Sequence, residues 1–214
     1  MDILFSLLLA VAAFLLGACP FSVWTGRKLL GKDITQYGDG NPGSANVFRA
    51  GSVALGIVAL ILDISKGIPF VWLASSVFHL PYPVILIIGI CAILGHAFSP
   101  LLKFRGGKSI AVTFGVLIAL PQHDLLFIFA IFTLFGFLFI EQNSWMAMAG
   151  PIGSSLYILI DKGLTVEFGF IMCILILFIY KQQRELRTAP IFGINLLKWL
   201  RSREQKADIK KQNL

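Results

Sequence analysis

The chain has 214 residues, 57% of them hydrophobic and only 14% charged, whereas a soluble domain carries about a quarter charged residues, so composition excludes an ordinary soluble globule. A net charge of +7 does not point to nucleic acid, because the cations flank apolar spans, where they meet anionic headgroups and follow the positive-inside bias. Cys19, Cys91 and Cys173 lie singly within apolar runs, which indicates neither a disulfide framework nor a zinc site.

In chain order, the first apolar segment covers residues 2–24. It imitates a signal peptide, and Leu16-Gly17-Ala18-Cys19 resembles a loose lipoprotein box, but its start carries Asp2 and no Lys or Arg, so a retained helix is expected. Further apolar segments cover residues 52–78, 82–101, 109–121, 124–140, 145–160 and 166–180. The reading is an all-α polytopic membrane protein with about seven transmembrane helices, five being the alternative count because three segments are short for a bilayer. Arg27, Lys28, Lys32 and Arg49 fall between the first two segments, and Lys103, Arg105 and Lys108 between the third and fourth. The alternate loops are neutral or acidic except for one Lys, which places the N-terminus outside and the C-terminus in the cytoplasm. Residues 1–181 read as a single membrane domain and 182–214 as a basic tail, whose stretch from Ile194 to Lys211 suits a helix on an anionic surface.

Two inner loops carry the residues suited to chemistry. The first, irregular from Gly38 to Ser52, contains Gly38-Asp39-Gly40-Asn41-Pro42-Gly43-Ser44-Ala45-Asn46 and then Arg49. Its glycines allow tight turns that aim N–H groups at an anion, with Asn46 and Arg49 as side-chain donors; a flexible connector is the alternative. The second runs from Gly95-His96-Ala97-Phe98 to Lys103-Phe104-Arg105-Gly106-Gly107-Lys108-Ser109. Gly106 and Gly107 are expected to open a helix N-terminus that favours phosphate, with Lys108 as a point charge, while Lys103 reads as a membrane anchor. Gly26 to Lys32 imitates a nucleotide-binding loop but ends in Asp33 where Ser or Thr would hold magnesium.

Asp63 and Lys66, three residues apart in the second segment, share a helix face and read as a structural ion pair. His96 lies at the inner end of the third segment, and Ser144 in the remaining inner loop. Both are supporting candidates. No metal-ligand spacing is present.

These residues resemble the acyl-phosphate:glycerol-3-phosphate acyltransferase family of bacterial membranes, the PlsY family. Its first motif, S-x-P followed by G-S-G-N-x-G-A-T-N-x-x-R, is similar to Cys19-Pro20 and Gly38 to Arg49; its second, G-H-x-F-P with F-K-G-G-K-G-V-A, is similar to Gly95 to Phe98 and Phe104 to Ala111. Leu62 to Gly67 also resembles the family's second-helix signature. Departures are Ala18 and Asp39 where serines are expected, Ser99 before the second motif's proline, and Glu141 in place of an arginine. Lys181-Gln182-Gln183-Arg184 lacks the family's C-terminal His and Asn.

The resemblance implies transfer of a fatty acyl chain from acyl phosphate to the 1-hydroxyl of glycerol 3-phosphate, with no cofactor, acyl-CoA or carrier protein. It implies Lys108 and Arg49 balancing phosphate charge and Asn46 orienting a phosphate or hydroxyl. Gly40, Asn41, Gly43, Ser44, Gly106 and Gly107 would form the phosphate-binding backbone, and His96, Ser144, Asp63 and Lys66 would support it. The expected setting is the bacterial inner membrane with the site facing the cytoplasm, membrane lipids as surroundings and no nucleic acid partner. The rival readings are a family member altered toward another acceptor, and a transporter or lipid-binding protein using the same anion-binding loops.

Overall fold

The computed structural model describes residues 3–193, and the stretch from Ile194 to Lys211 expected to lie on the membrane surface is outside the described residues. Within them every regular element is helical, apart from one antiparallel bridge between Ile140 and Phe192. The first apolar segment is not one continuous helix. It forms α1 (Ile3–Gly17) and α2 (Phe21–Leu29), interrupted at Ala18-Cys19-Pro20. Proline lacks an N–H and disfavours a helical residue before it, so carbonyls at the break lose their helical donors. Such a loss at membrane depth costs several kcal/mol unless protein replaces the partner. Ser99 Oγ donates to the Ala18 carbonyl at 2.5 Å, and Lys66 Nζ to the Cys19 carbonyl at 2.7 Å.

The irregular loop between the first two segments contains a short helix, α3 (Ser44–Arg49). Next come α4 (Val53–Ser65), α5 (Pro69–Trp72) running into a π-helical turn over Leu73–Val77, and α6 (Tyr82–Ala97). The remaining helices are α7 (Ile110–Ala119), α8 (Asp124–Phe139), α9 (Asn143–Asp161) and α10 (Val166–Gln182). All the apolar segments expected from the sequence are therefore helical. Ile3–Leu29, Val53–Val77 and Tyr82–Leu102 are long and apolar enough to cross a membrane.

α1 packs along α6, α4 along α7, and α8 along α9, which continues onto α10. The α1–α6 crossing is close because glycines stand in it: a Cβ on Gly17 would strike the Ala92 backbone, and one on Gly95 the Phe14 carbonyl. Small residues at helix crossings are how membrane helices gain van der Waals contact when lipid supplies no hydrophobic drive. Phe129, Leu117, Ile171, Ile174 and Phe178 fill the interior, while Leu7 and Val11 of α1 and Phe127, Ile131 and Leu134 of α8 point outward. An apolar exterior over an apolar core suits lipid as solvent.

The packed body extends past residue 181, the boundary expected from composition. A 3-10 turn over Glu185–Arg187 leads into a strap that clasps the α8–α9 corner. Trp145 Nε1 donates to the Thr188 carbonyl (2.7 Å), Gln142 Nε2 to the Ala189 carbonyl (3.1 Å), and the Ile191 N–H to Gln142 Oε1 (2.6 Å). Backbone bonds from Glu141 to the Ile191 carbonyl (3.0 Å) and from Gly193 to the Phe139 carbonyl (2.9 Å) complete it.

Candidate active site

The first basic loop is held by its own side chains. Gly38 and Gly40 take positive φ (56° and 72°), turning the chain so that Asp39 Oδ1 accepts the Asn41 N–H at 3.1 Å and Asn46 Nδ2 at 3.0 Å. Asn46 Nδ2 also donates to the Asn41 carbonyl (2.8 Å), and its Oδ1 accepts from Arg49 at 2.8 Å. The Asn46 amide is thereby spent beneath the loop. Asn46 organises the loop, whereas the sequence suggested a direct substrate contact. The N–H groups of Gly40 and Gly43 are likewise taken, by the Tyr37 and Asn41 carbonyls at 3.0 and 2.9 Å. The face the loop offers is the start of α3, at Ser44 and Ala45, with Arg49 behind it.

The second loop is strained. Lys103, Phe104 and Ser109 all have positive φ (52°, 62° and 65°), a conformation that side chains with a Cβ rarely adopt and that clusters at functional sites. The helix opens at Ile110, beyond the glycines expected to open it. Gly107 donates its N–H to the His96 carbonyl at 3.1 Å, and a Cβ there would collide with the His96 ring, so the glycine serves close packing. The Gly106 carbonyl accepts from Lys181 Nζ at 2.9 Å, and the same ammonium reaches the Ala97 carbonyl at 2.8 Å.

These supports bring Lys108 across to the first loop. Its Nζ lies 2.8 Å from Asp39 Oδ2 and 2.6 Å from Glu185 Oε2, with 12% of the side chain exposed. Ser144, in the first turn of α9, donates its hydroxyl to the same Glu185 oxygen. Burial pushes the Asp39 carboxyl up, but the hydrogen bond and charge of Lys108 together with hydrogen bonds from the Asn41 N–H and the Asn46 amide outweigh it and leave Asp39 below the ordinary carboxylate range.

Two cavities meet at this cluster. One, of about 270 Å³, has an apolar wall that includes Ile110, Ala111, Phe137, Met146 and Ala147, and a polar side that includes Asn41, Ser44, Arg49, Asp63 and His96. The other, of about 450 Å³, is polar and basic, with Gly40, Arg105, Gly106, Lys181, Arg184 and Glu185 on its walls. Asp39, Asn41, Lys108 and Gln182 line both. Gly107 is not among the lining residues of either cavity. Gln182 and Glu185 are site residues that sequence reasoning missed: the buried Gln182 Oε1 has no hydrogen-bond partner, and the signal for Glu185 was a lone acid among the basic residues from Lys181 to Arg187.

Asp63 and Lys66 face each other as an ion pair. Lys66 Nζ lies 2.8 Å from Asp63 Oδ1, both side chains are buried, and Ser22 donates its hydroxyl to Asp63 Oδ2. Lys66 thus braces the break at Pro20, and Asp63 lines the apolar-walled cavity from below.

An apolar helix bundle with a lysine-centred cluster, opening on one side to an apolar-walled cavity and on the other to a basic one, offers neighbouring apolar and anion-binding surfaces. A protein-family model described as glycerol-3-phosphate acyltransferase matches residues 7–189. The glycerol-3-phosphate acyltransferase of Lactococcus lactis subsp. cremoris (strain MG1363) is 36% identical over 166 residues, covering 78% of this chain and 75% of its own. That of Pelagibacter ubique (strain HTCC1062) is 32% identical over 178 residues, covering 82% of this chain and 90% of its own. Among solved structures, PlsY (YgiH), an integral membrane glycerol 3-phosphate acyltransferase, superimposes in its glycerol 3-phosphate form with a TM-score of 0.76 at 27% identity, over 86% of this chain and 90% of that one. Its lysophosphatidic acid form gives a TM-score of 0.73 at 25% identity. The chain belongs to the glycerol-3-phosphate acyltransferase family.

Proposed function

We propose that this chain transfers a fatty acyl group from acyl phosphate to the 1-hydroxyl of glycerol 3-phosphate, giving lysophosphatidate and inorganic phosphate. The observation that carries the reading is the position of Lys108 at the junction of an apolar-walled groove and a basic polar cavity, since one substrate has a lipid tail and both carry phosphate. The hydroxyl oxygen attacks the acyl carbon, the bond from that carbon to the phosphate oxygen breaks, and the departing phosphate takes the hydroxyl proton. An acyl phosphate is an activated mixed anhydride, so alignment and charge stabilisation supply most of the acceleration and no covalent nucleophile is assigned.

In this reading Lys108 and Arg49 stabilise charge on the phosphates, and the α3 and α7 ends at Ser44 and Ile110 give backbone donors. Gln182 offers its free carboxamide oxygen to the acceptor hydroxyl, His96 shapes the pocket, Ser144 holds Glu185 beside it, and Asn46 and Gly107 hold the loops. Seven spans, a cytoplasmic C-terminus and a site facing the cytoplasm of a bacterial plasma membrane complete the proposal. The basic residues of the site support that orientation, set against the Asp124–Lys162 pair that joins the start of α8 to the end of α9. No cofactor is assigned.

The test is purification in detergent, mixing with palmitoyl phosphate and glycerol 3-phosphate, and parallel measurement of phosphate and lysophosphatidate. Equal amounts of both are expected. Phosphate without acylated glycerol phosphate would move the acceptor to another alcohol, and no turnover of any acyl phosphate would overturn the acyl-transfer reading.

A further inference from the structure

An ammonium has three N–H donors, and two of those on Lys108 point at carboxylates. Within the directly ion-paired cluster, Arg49 and Lys108 supply two positives and Asp39 and Glu185 two negatives, so the cluster is neutral as it stands, although Arg105, Lys181 and Arg184 keep the surrounding cavity basic. A phosphate brought up to Lys108 in that state meets two like charges within ion-pair distance of its intended partner. The two carboxylates are not held alike. Asp39 is fixed by the Asn41 N–H, the Asn46 amide and the Arg49 guanidinium, 3.6 Å away. Glu185 has 38% of its side chain exposed, against 25% for Asp39, and its strap is tied to the body through Trp145 and Gln142.

We propose that Glu185 is a specificity-determining residue that occupies the oxyanion position on Lys108 and Ser144, and that a phosphate-bearing substrate binds by displacing it. Departure of Glu185 returns a Lys108 N–H to the cavity and releases the buried Ser144 hydroxyl beside it, two donors suited to one phosphate oxygen. It also leaves the centre with one net positive charge, from Arg49 and Lys108 against Asp39, so the exchange is anion for anion. Selectivity follows, because a hydroxyl compound without phosphate cannot replace the carboxylate on an ammonium. The inference rests on the reading that phosphate binds at Lys108, but not on acyl transfer itself.

The experiment is calorimetric titration of glycerol 3-phosphate into the detergent-purified full chain with no acyl phosphate present. Glu185→Gln keeps the shape and removes the competing charge, and glycerol 3-phosphate is expected to bind about tenfold more tightly to it than to the wild type. Trp145→Phe retains the Glu185 charge but removes the indole bond to Thr188, and is expected to tighten binding in the same direction by about twofold to threefold. It carries the test if the Glu185 variant does not fold. Lys108→Ala is expected to abolish binding in both backgrounds. Unchanged or weaker affinity in Glu185→Gln, or in Trp145→Phe where that variant carries the test, would overturn the proposal, and so would binding that survives Lys108→Ala. A chain that passes this titration yet never releases phosphate from palmitoyl phosphate keeps the displacement mechanism and loses the acyl-transfer function.

Discussion

Two lysine–carboxylate clusters lie near one another in this molecule, and they do opposite things. At Asp63 and Lys66 both side chains are buried, with Asp63 at the wall of the apolar-walled cavity, and the contacts that hold them are made within the protein: Lys66 on the Cys19 carbonyl and on Asp63, Ser22 on Asp63. At Lys108 the ammonium is shared by two carboxylates from distant parts of the chain, beside open cavity. A buried charge whose partners are all protein atoms stabilises one conformation, whereas a charge whose partner can be exchanged for a ligand provides a binding site.

Breaking the enclosed cluster has the largest expected effect. Lys66→Met leaves Asp63 buried without its cation and leaves the Cys19 carbonyl with the Phe21 N–H alone, so a destabilisation of about 3–5 kcal/mol is expected. It is read as a loss of folded yield and thermal midpoint in detergent. Adding Asp63→Asn should recover much of the loss, since it removes the orphaned charge. If Lys66→Met alone is as stable as the wild type, the pair does not brace the break.

Lys108→Ala should reverse that pattern. Its thermal midpoint is expected to stay near that of the wild type, while kcat/KM for acyl transfer falls about a hundredfold to a thousandfold, the range typical of losing one preorganised charge-stabilising donor. Phosphate release and lysophosphatidate formation should fall together. A variant that retains activity but melts early would place Lys108 with the structural cluster and erase the contrast.

Ser99→Ala sharpens the comparison from the enclosed side without touching a charge. It removes the hydroxyl that satisfies the Ala18 carbonyl, and a loss of about 1–3 kcal/mol is expected, with little change in KM. The smallest effect concerns pH. Because the Asp39 carboxyl sits below its ordinary value of 3.8 in the folded chain, its contribution to stability is complete above that value and is lost as the pH falls below it. The thermal midpoints of wild type and Asp39→Asn should therefore differ by a constant amount at neutral pH and converge only below about pH 4.

Residues 3–193 show how far each kind of information reaches. Apolar runs of sufficient length made the helices legible from sequence, because a backbone in lipid has to satisfy its own N–H and C=O groups and a helix does so locally. The positions of Gly40, Arg49, Gly106 and Lys108 also marked the two loops and their family likeness, since short motifs are local in sequence. Only tertiary structure decided what those loops do with their donors. The amides of Gly40, Gly43 and Gly107 are consumed by neighbouring carbonyls, and Asn46 faces the loop's interior. The partners that matter most are remote: Ser99 is 81 residues from the carbonyl it satisfies, Lys66 is 47 from its own, and Glu185 is 77 from Lys108. Spacing along a chain predicts neighbours on one helix; which carboxylate reaches which ammonium is set by how the helices cross, and the sequence carries that only through the packing of all of them together.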